Sequence, residues 1–130
     1  MIIADTSAWI DFFRGVEAPH VASLENALLG NELFIGDLII AELLQGARSE
    51  KSIKAINDVI SKLTHVDMVG FDNARKSAAN YRDLRSMGIT VRKTIDMLIA
   101  TYCIENNGLL IHNDRDFDPI EQHLGLKVIN

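Results

Sequence analysis

Five short apolar runs punctuate the chain at residues 1–4, 33–35, 65–69, 109–112 and 128–129, and nothing else in it constrains the fold as much. The first, second and fourth are uniformly apolar and rich in β-branched or large aliphatic residues, as strands buried on both faces must be. Between them lie stretches with helical spacing. The predicted helices cover about 8–14 behind an N-cap at Thr6-Ser7, 20–29 stopped by Gly30, and 38–47 capped by Asp37. Further helices are expected at 53–63, at 71–87 stopped by Gly88, and at 94–105 stopped by Asn107-Gly108. Buried strands separated by helices predict an α/β fold: a short central parallel β-sheet flanked by α-helices on both faces. With 130 residues the expectation is a single domain over 1–130.

In a sheet of that kind, ligands bind beyond the carboxyl ends of the strands. Asp5 ends the first run, and Asp114 follows the fourth, in LLIHNDRDFDPI. If those strands are neighbours, both carboxylates enter one crevice. Two more acids stand in apolar company. Glu42, in LIIAELLQG, shares a helix face with Leu38 and Ile39. Asp96 opens an almost wholly apolar helix in KTIDMLIATYC. Each also has an ordinary structural role open to it: Asp5 as a helix cap, Glu42 as half of an ion pair, Asp96 as a first-turn acid favoured by the helix dipole, Asp114 as a turn residue.

Together the four imply more. Two unit charges ~4 Å apart repel by about 4 kcal/mol at an effective dielectric of 20. Converging carboxylates therefore need protons or cations, and hard oxygen ligands in a wet cleft suit Mg²⁺ or Mn²⁺. The spacing of Asp114, Asp116 and Asp118 is not a calcium loop. The glycine that an EF-hand requires falls on Pro119, and its bidentate glutamate falls on Gly125. Asp118 is expected to cap a helix or face water.

The set MIIADTSAWIDFFRG, LIIAELLQGAR, KTIDMLIATYC and LLIHNDRDFDPI, in that order over essentially the whole chain, resembles the PIN-domain ribonucleases. More narrowly it resembles the VapC-type toxins of bacterial and archaeal toxin–antitoxin pairs. The resemblance implies that Asp5, Glu42, Asp96 and Asp114 are the catalytic acids of a Mg²⁺-dependent endoribonuclease, with Mn²⁺ able to substitute. It implies Asp5, Asp96, Asp114 and Asp116 as metal ligands, with Glu42 joining directly or through water. Ser7 or Thr6 would hold a metal-bound water or a phosphate oxygen. RNA hydrolysis would leave 5′-phosphate and 3′-hydroxyl ends. A VapB-type antitoxin would block the cleft with a basic side chain, and the toxin would be a homodimer.

Composition limits the remaining classes. A net charge of −5 disfavours nucleic-acid binding through a bulk basic surface, but leaves open contact through bound cations. No apolar run reaches the ~18 residues of a membrane span, and the N-terminus does not read as a signal peptide, so the cytoplasm is the default compartment. One cysteine, Cys103, excludes an internal disulfide and a cysteine-based zinc site, and reads as a small buried hydrophobe. Arg115, Arg92, Lys93 and Arg14 fall near the predicted rim, as phosphate contacts or as ordinary surface charge. Trp9, Phe12 and Phe13 read as a core face or partner groove before they read as a base-stacking platform. His20, His65, His112 and His123 lack metal-site spacing.

Aspartyl-phosphate chemistry of the haloacid-dehalogenase kind needs a second aspartate where Ser7 stands. A receiver domain needs a better-placed phosphoacceptor than Asp67. Glycine-rich nucleotide motifs are absent. The alternative that remains is a PIN-like module that binds RNA or protein without cutting.

Overall fold

A computed structural model describes residues 1–129; Asn130, the last residue of the expected single domain, lies outside the described residues. The elements run β1 (Ile2–Ala4), α1 (Thr6–Phe13), α2 (Pro19–Leu29), β2 (Leu33–Gly36), α3 (Asp37–Gly46), α4 (Glu50–Ile60) and β3 (Thr64–Val66). Then follow α5 (Phe71–Ser86), α6 (Thr94–Glu105), β4 (Leu109–Ile111), a 3₁₀ turn at Arg115–Phe117, α7 (Asp118–Leu124) and β5 (Lys127–Ile129). The five strands form one parallel sheet in the order β3-β2-β1-β4-β5.

That order sets the layers. From β1 to β2 to β3 the chain steps one way along the sheet; from β3 to β4 to β5 it steps the other way. Parallel crossovers are right-handed, so the reversal puts α1–α4 on one face and α5–α7 on the other. The expected three-layer α/β architecture is the one observed. The reversal falls between β1 and β4, paired as Ile2↔Leu109, Ile3↔Leu110 and Ala4↔Ile111. Ile3, Ile35, Leu110 and Ile111 are fully buried in the sheet, with Trp9, Leu24 and Ile39 on one side and Leu84, Met97 and Ile99 among the helices of the other.

Several boundaries differ from the sequence expectation: α3 begins at Asp37 behind Gly36, so Asp37 lies in its first turn and is not its cap, and α4 ends at Ile60, short of 63. Helix α1 begins at Thr6 and is capped by Asp5, whose carboxylate accepts from the Ser7 N–H; Thr6-Ser7 is not the cap. Helix α4 starts at Glu50 because the Ser49 hydroxyl caps it through the Ser52 N–H. The third strand stops at Val66, short of the expected 69. Asp37 Oδ1 draws the Met68 N–H out of the sheet ladder at 2.8 Å, and the Met68 side chain fills the space that Gly36 leaves by lacking a Cβ. The turn and helix at 115–124 are not among the predicted elements.

Candidate metal-binding active site

At the reversal point the chain leaves β1 through Asp5, whose N–H extends the ladder to the Ile111 carbonyl at 2.8 Å. The Asp5 carboxylate is buried, and Ser7 fixes it: Ser7 Oγ donates to Asp5 Oδ2 at 2.6 Å and Ser7 N–H to the same oxygen at 3.0 Å. The Ser7 hydroxyl also accepts from the Asn113 N–H at 3.0 Å, stitching the β1 exit to the β4 exit. Asn113 Nδ2 donates to Asp11 Oδ2 (2.9 Å), which also meets His20 Nε2 at 2.7 Å. Thr6 Oγ1 donates to Glu42 Oε1 at 2.7 Å, so α1 holds the acid of α3 as well. Both hydroxyls expected to meet water or phosphate thus spend their hydrogens on the acids. What Ser7 and Thr6 visibly do is aim Asp5 and Glu42.

Asp96 comes from the first turn of α6, on the opposite face of the sheet. It is 4% exposed, and its Oδ2 is buried without a hydrogen-bond partner among the described residues. One carboxylate oxygen each from Asp96, Asp114 and Asp116 lie within 4.8 Å of one another. Asp5 is not in that trio, yet it exerts the largest charge effect on Asp96, ahead of Asp114 and Glu42. Burial and then this repulsion push the Asp96 carboxyl up to about 7, with Lys93 opposing. Burial also raises Asp5, against the pull of its Ser7 bonds. An isolated carboxylate does not stay charged and unpaired in such a place. The arrangement asks for a proton or a cation.

The cation in the structure is Lys93. Its ammonium lies 3.7 Å from Asp114 Oδ2 and is held charged, its pKa raised first by Asp96 and then by Asp114. Arg92 Nη2 meets Asp116 at 3.1 and 3.5 Å. Asp114 Oδ1 accepts from the Asp116 N–H at 2.9 Å, capping the 3₁₀ turn. Asp118 is exposed at the start of α7, as expected.

The structure therefore brings together Asp5, Glu42, Asp96, Asp114 and Asp116, which lie up to 111 residues apart (116 − 5). Arg115 is exposed, forms no ion pair or side-chain hydrogen bond among the described residues, and lines a cavity that Asp114, Asp116 and Asp118 also wall. Arg14 lines a different hollow, between α1, α3 and α4, with Ile10, Phe13, Arg48 and Glu42. Trp9 is wholly buried and packs with Phe12 and Phe13 at ring separations of 5.2–5.9 Å, a core face rather than a base platform. Burial pushes the Cys103 thiol up to about 12, so it is inert. The sequence reading missed Asn113, for which an asparagine before Asp114 was the only local signal, and gave Asp37 a cap role without its bond to the Met68 N–H.

Comparison with known proteins gives consistent results. The PIN domain family model matches residues 2–122. VapC ribonuclease Mb1587 of Mycobacterium bovis and ribonuclease VapC11 of Mycobacterium tuberculosis are each 31% identical to the chain over 131 residues. Each alignment covers 98% of this chain and 96% of the relative. Among solved structures, VapBC2 from Rickettsia felis bound to a DNA fragment from their promoter superposes with a TM-score of 0.79 at 19% identity, covering 100% of this chain and 98% of that one. DNA-bound VapBC from Salmonella typhimurium does so with a TM-score of 0.78 at 22% identity, covering 98% and 95%. At those identities the two structures attest the fold.

Proposed function

Because the chain belongs to the PIN-domain family, in the branch of the VapC ribonucleases, we propose that it is a Mg²⁺-dependent endoribonuclease and the toxin of a toxin–antitoxin pair. The observation that carries the metal requirement is the unpartnered, buried Oδ2 of Asp96 beside the Asp114 and Asp116 carboxylates. A hard divalent cation satisfies that oxygen and the surrounding negative charge at once. All-oxygen donors suit Mg²⁺, with Mn²⁺ as a substitute.

In this reading Asp5, Asp96 and Asp114 hold the metal, and Asp116 stands at its edge for a second ion. Glu42 completes the shell, directly or through water. The ion, when bound, supplies a water of lowered pKa and neutralises the phosphate oxygens. The chain's own part is positioning. Ser7 and Thr6 orient Asp5 and Glu42 through the hydrogen bonds described above, and β1 and β4 bring Asp5 and Asp114 to the same depth. Lys93, already over Asp114, is placed to meet a phosphate once cations occupy the acids. With water as the nucleophile and the 3′ oxygen leaving, the products would carry 5′-phosphate and 3′-hydroxyl ends.

The VapBC neighbours support a VapB-type antitoxin; the homodimer is proposed from the family resemblance alone. A groove of about 350 Å³ beside α1, with Ile10 and Phe13 in its wall and Glu42 at its end, suits a partner segment that offers a basic side chain to the acids. No helix among the described residues is long and apolar enough to cross a membrane; the cytoplasm remains the proposed compartment.

The test is cleavage of a total bacterial RNA pool by the purified protein, with Mg²⁺ or Mn²⁺ and with chelator, mapping the new 5′ ends. Discrete metal-dependent cuts bearing 5′-phosphates are expected. A folded protein that binds RNA or antitoxin but makes no metal-dependent cut in any RNA class would reduce the chain to a binding module.

Ser7→Ala provides a check on the positioning role. It deletes the Oγ–Asp5 bond and the stitch to Asn113 in one step. Losing a partner that orients a metal ligand typically costs 10–100-fold in metal affinity or activity. Mn²⁺ affinity and cleavage are both expected to fall by about that factor, with the melting temperature little changed. Wild-type values for both would mean Asp5 needs no such hold.

A further inference from the structure

Between the loop before α6 and the loop after β4, with Asp114, Asp116 and Asp118 in its wall, lies a cavity of about 680 Å³. That is the size range of small-ligand sites. The acidic pocket opens onto it through Asp114 and Asp116, and its other polar groups include Arg92, Arg115, His112 and Asn113.

Arg92 and Lys93 stand at its boundary and diverge. Val91 is buried and pins the loop. Lys93 has extended backbone angles (φ −117°, ψ 121°), while Arg92 before it lies in a bend. Lys93 turns over Asp114, and Arg92 turns into the cavity wall. The Arg92 side chain is 79% exposed but not loose, because both its contacts to Asp116 run from one nitrogen, Nη2. A guanidinium has five N–H donors in a planar fork. With Nη2 anchored, the Nη1 and Nε donors stay open. That is the geometry for receiving a phosphate oxygen pair. Arg115, without a partner among the described residues, lines the same cavity.

We propose that Arg92, positioned by Asp116, is the phosphate-binding arm of a subsite for the RNA nucleotide that flanks the cut, with Arg115 as a second, weaker contact. This rests on the ribonuclease reading and extends it to how the strand is held. The flanking phosphodiester sits on Arg92 while the scissile one lies at the acids. Phosphate contacts fix register and carry no sequence information. Arg92 therefore sets affinity, and the choice of cleavage site lies elsewhere. Asp116 shares its charge between the metal edge and Arg92, coupling the two halves of the site.

Arg92→Gln tests this in the full-length protein. The probe is a fluorescein-labelled random 12-nucleotide RNA pool, with Ca²⁺ replacing Mg²⁺ so that binding is read without cutting. Kd is expected to rise about 10-fold, and the slope of log Kd against log salt to flatten by about 0.7, the value of one phosphate contact on a single strand. Mn²⁺ affinity of the protein alone is expected to hold or rise, because Asp116 is released from its cation. With Mg²⁺ restored, KM should rise, with kcat and the map of cleavage sites retained. Asp116→Asn should raise Kd less than Arg92→Gln does, and the double variant should bind no worse than Arg92→Gln alone.

An unchanged salt slope in Arg92→Gln would overturn the proposal. So would a loss confined to kcat, or an altered cleavage map. A wild-type protein that neither binds nor cuts RNA would instead sink the ribonuclease reading, and the two failures are distinguishable by that control. Arg92 is mostly exposed, so Gln should fold normally, which a thermal melt checks.

Discussion

Asp96→Asn is expected to abolish metal-dependent RNA cleavage and, in the same protein, to raise the melting temperature without metal. The first effect follows from the metal's share of the chemistry. Charge stabilisation by a bound ion is worth several kcal/mol, and each 1.36 kcal/mol is tenfold in rate, so a loss of about 10³-fold or more is expected. The second follows from the unpartnered Oδ2. A carboxyl carried from 3.8 to about 7 disfavours its charged form by roughly 4 kcal/mol at most. The asparagine amide escapes that cost but leaves a buried NH₂ needing a partner, itself worth ~1–3 kcal/mol. The remainder, about 1–2 kcal/mol, corresponds to a gain of several degrees for a domain of this size. Thermal melts at pH 8 in chelator, paired with cleavage assays in Mg²⁺, measure both. A variant that cuts at the wild-type rate removes Asp96 from the site. One that cuts nothing and is also less stable without metal makes Asp96 a structural acid.

The backbone of this site was legible in the sequence because it depends on local pattern and on one general rule. The runs ending in Asp5 and His112 are apolar enough to be interior strands, and a parallel sheet collects ligands beyond such ends. Adjacency of the two strands was the only missing link, and the reversal between β1 and β4 supplies it. Asp96 was legible for a related reason: although the helix dipole favours an acid in the first turn, the stretch TI-MLIATYC around it is otherwise apolar and marks it as buried. The parts that escaped are contacts between distant residues. Ser7 to Asn113 spans 106 residues and Arg92 to Asp116 spans 24. Neither pair has a periodicity to announce it. The third strand was overestimated because its end is decided by Asp37, 31 residues upstream of the N–H it captures. The hydroxyls of Thr6 and Ser7 were seen as functional, but which atoms they serve depends on where α3 and the β4 exit come to rest.

The metal-free protein should lose stability as pH rises from 5 to 8, the reverse of the usual carboxylate behaviour. Asp96 and Asp5 both have folded-state pKa values above the unfolded 3.8, Asp96 at about 7. Between those limits the unfolded chain has released protons that the folded one retains. Stability is then complete below pH 3.8 as far as these groups go, and drains away as pH climbs through about 7. Asp11, lowered by its bond to His20, works the other way, but its contribution is lost only on acidification below 3.8 and does not touch this window. A fall of about 1–3 kcal/mol between pH 5 and 8 is expected from urea melts in chelator, with Asp96→Asn showing a smaller fall, the part that Asp5 contributes. Metal should invert the trend. The same carboxylates must shed their protons to bind a cation, so affinity grows with pH up to about 7. At 100 times Kd a ligand adds about 2.7 kcal/mol, enough to offset the whole electrostatic loss. Saturating Mg²⁺ or Mn²⁺ should therefore stabilise the protein at pH 8 and do little at pH 5. A metal-free profile that rises with pH, or a metal effect equal at both ends, would mean that the acids at the strand ends are paired by the protein itself and that Lys93, rather than an ion, completes the pocket.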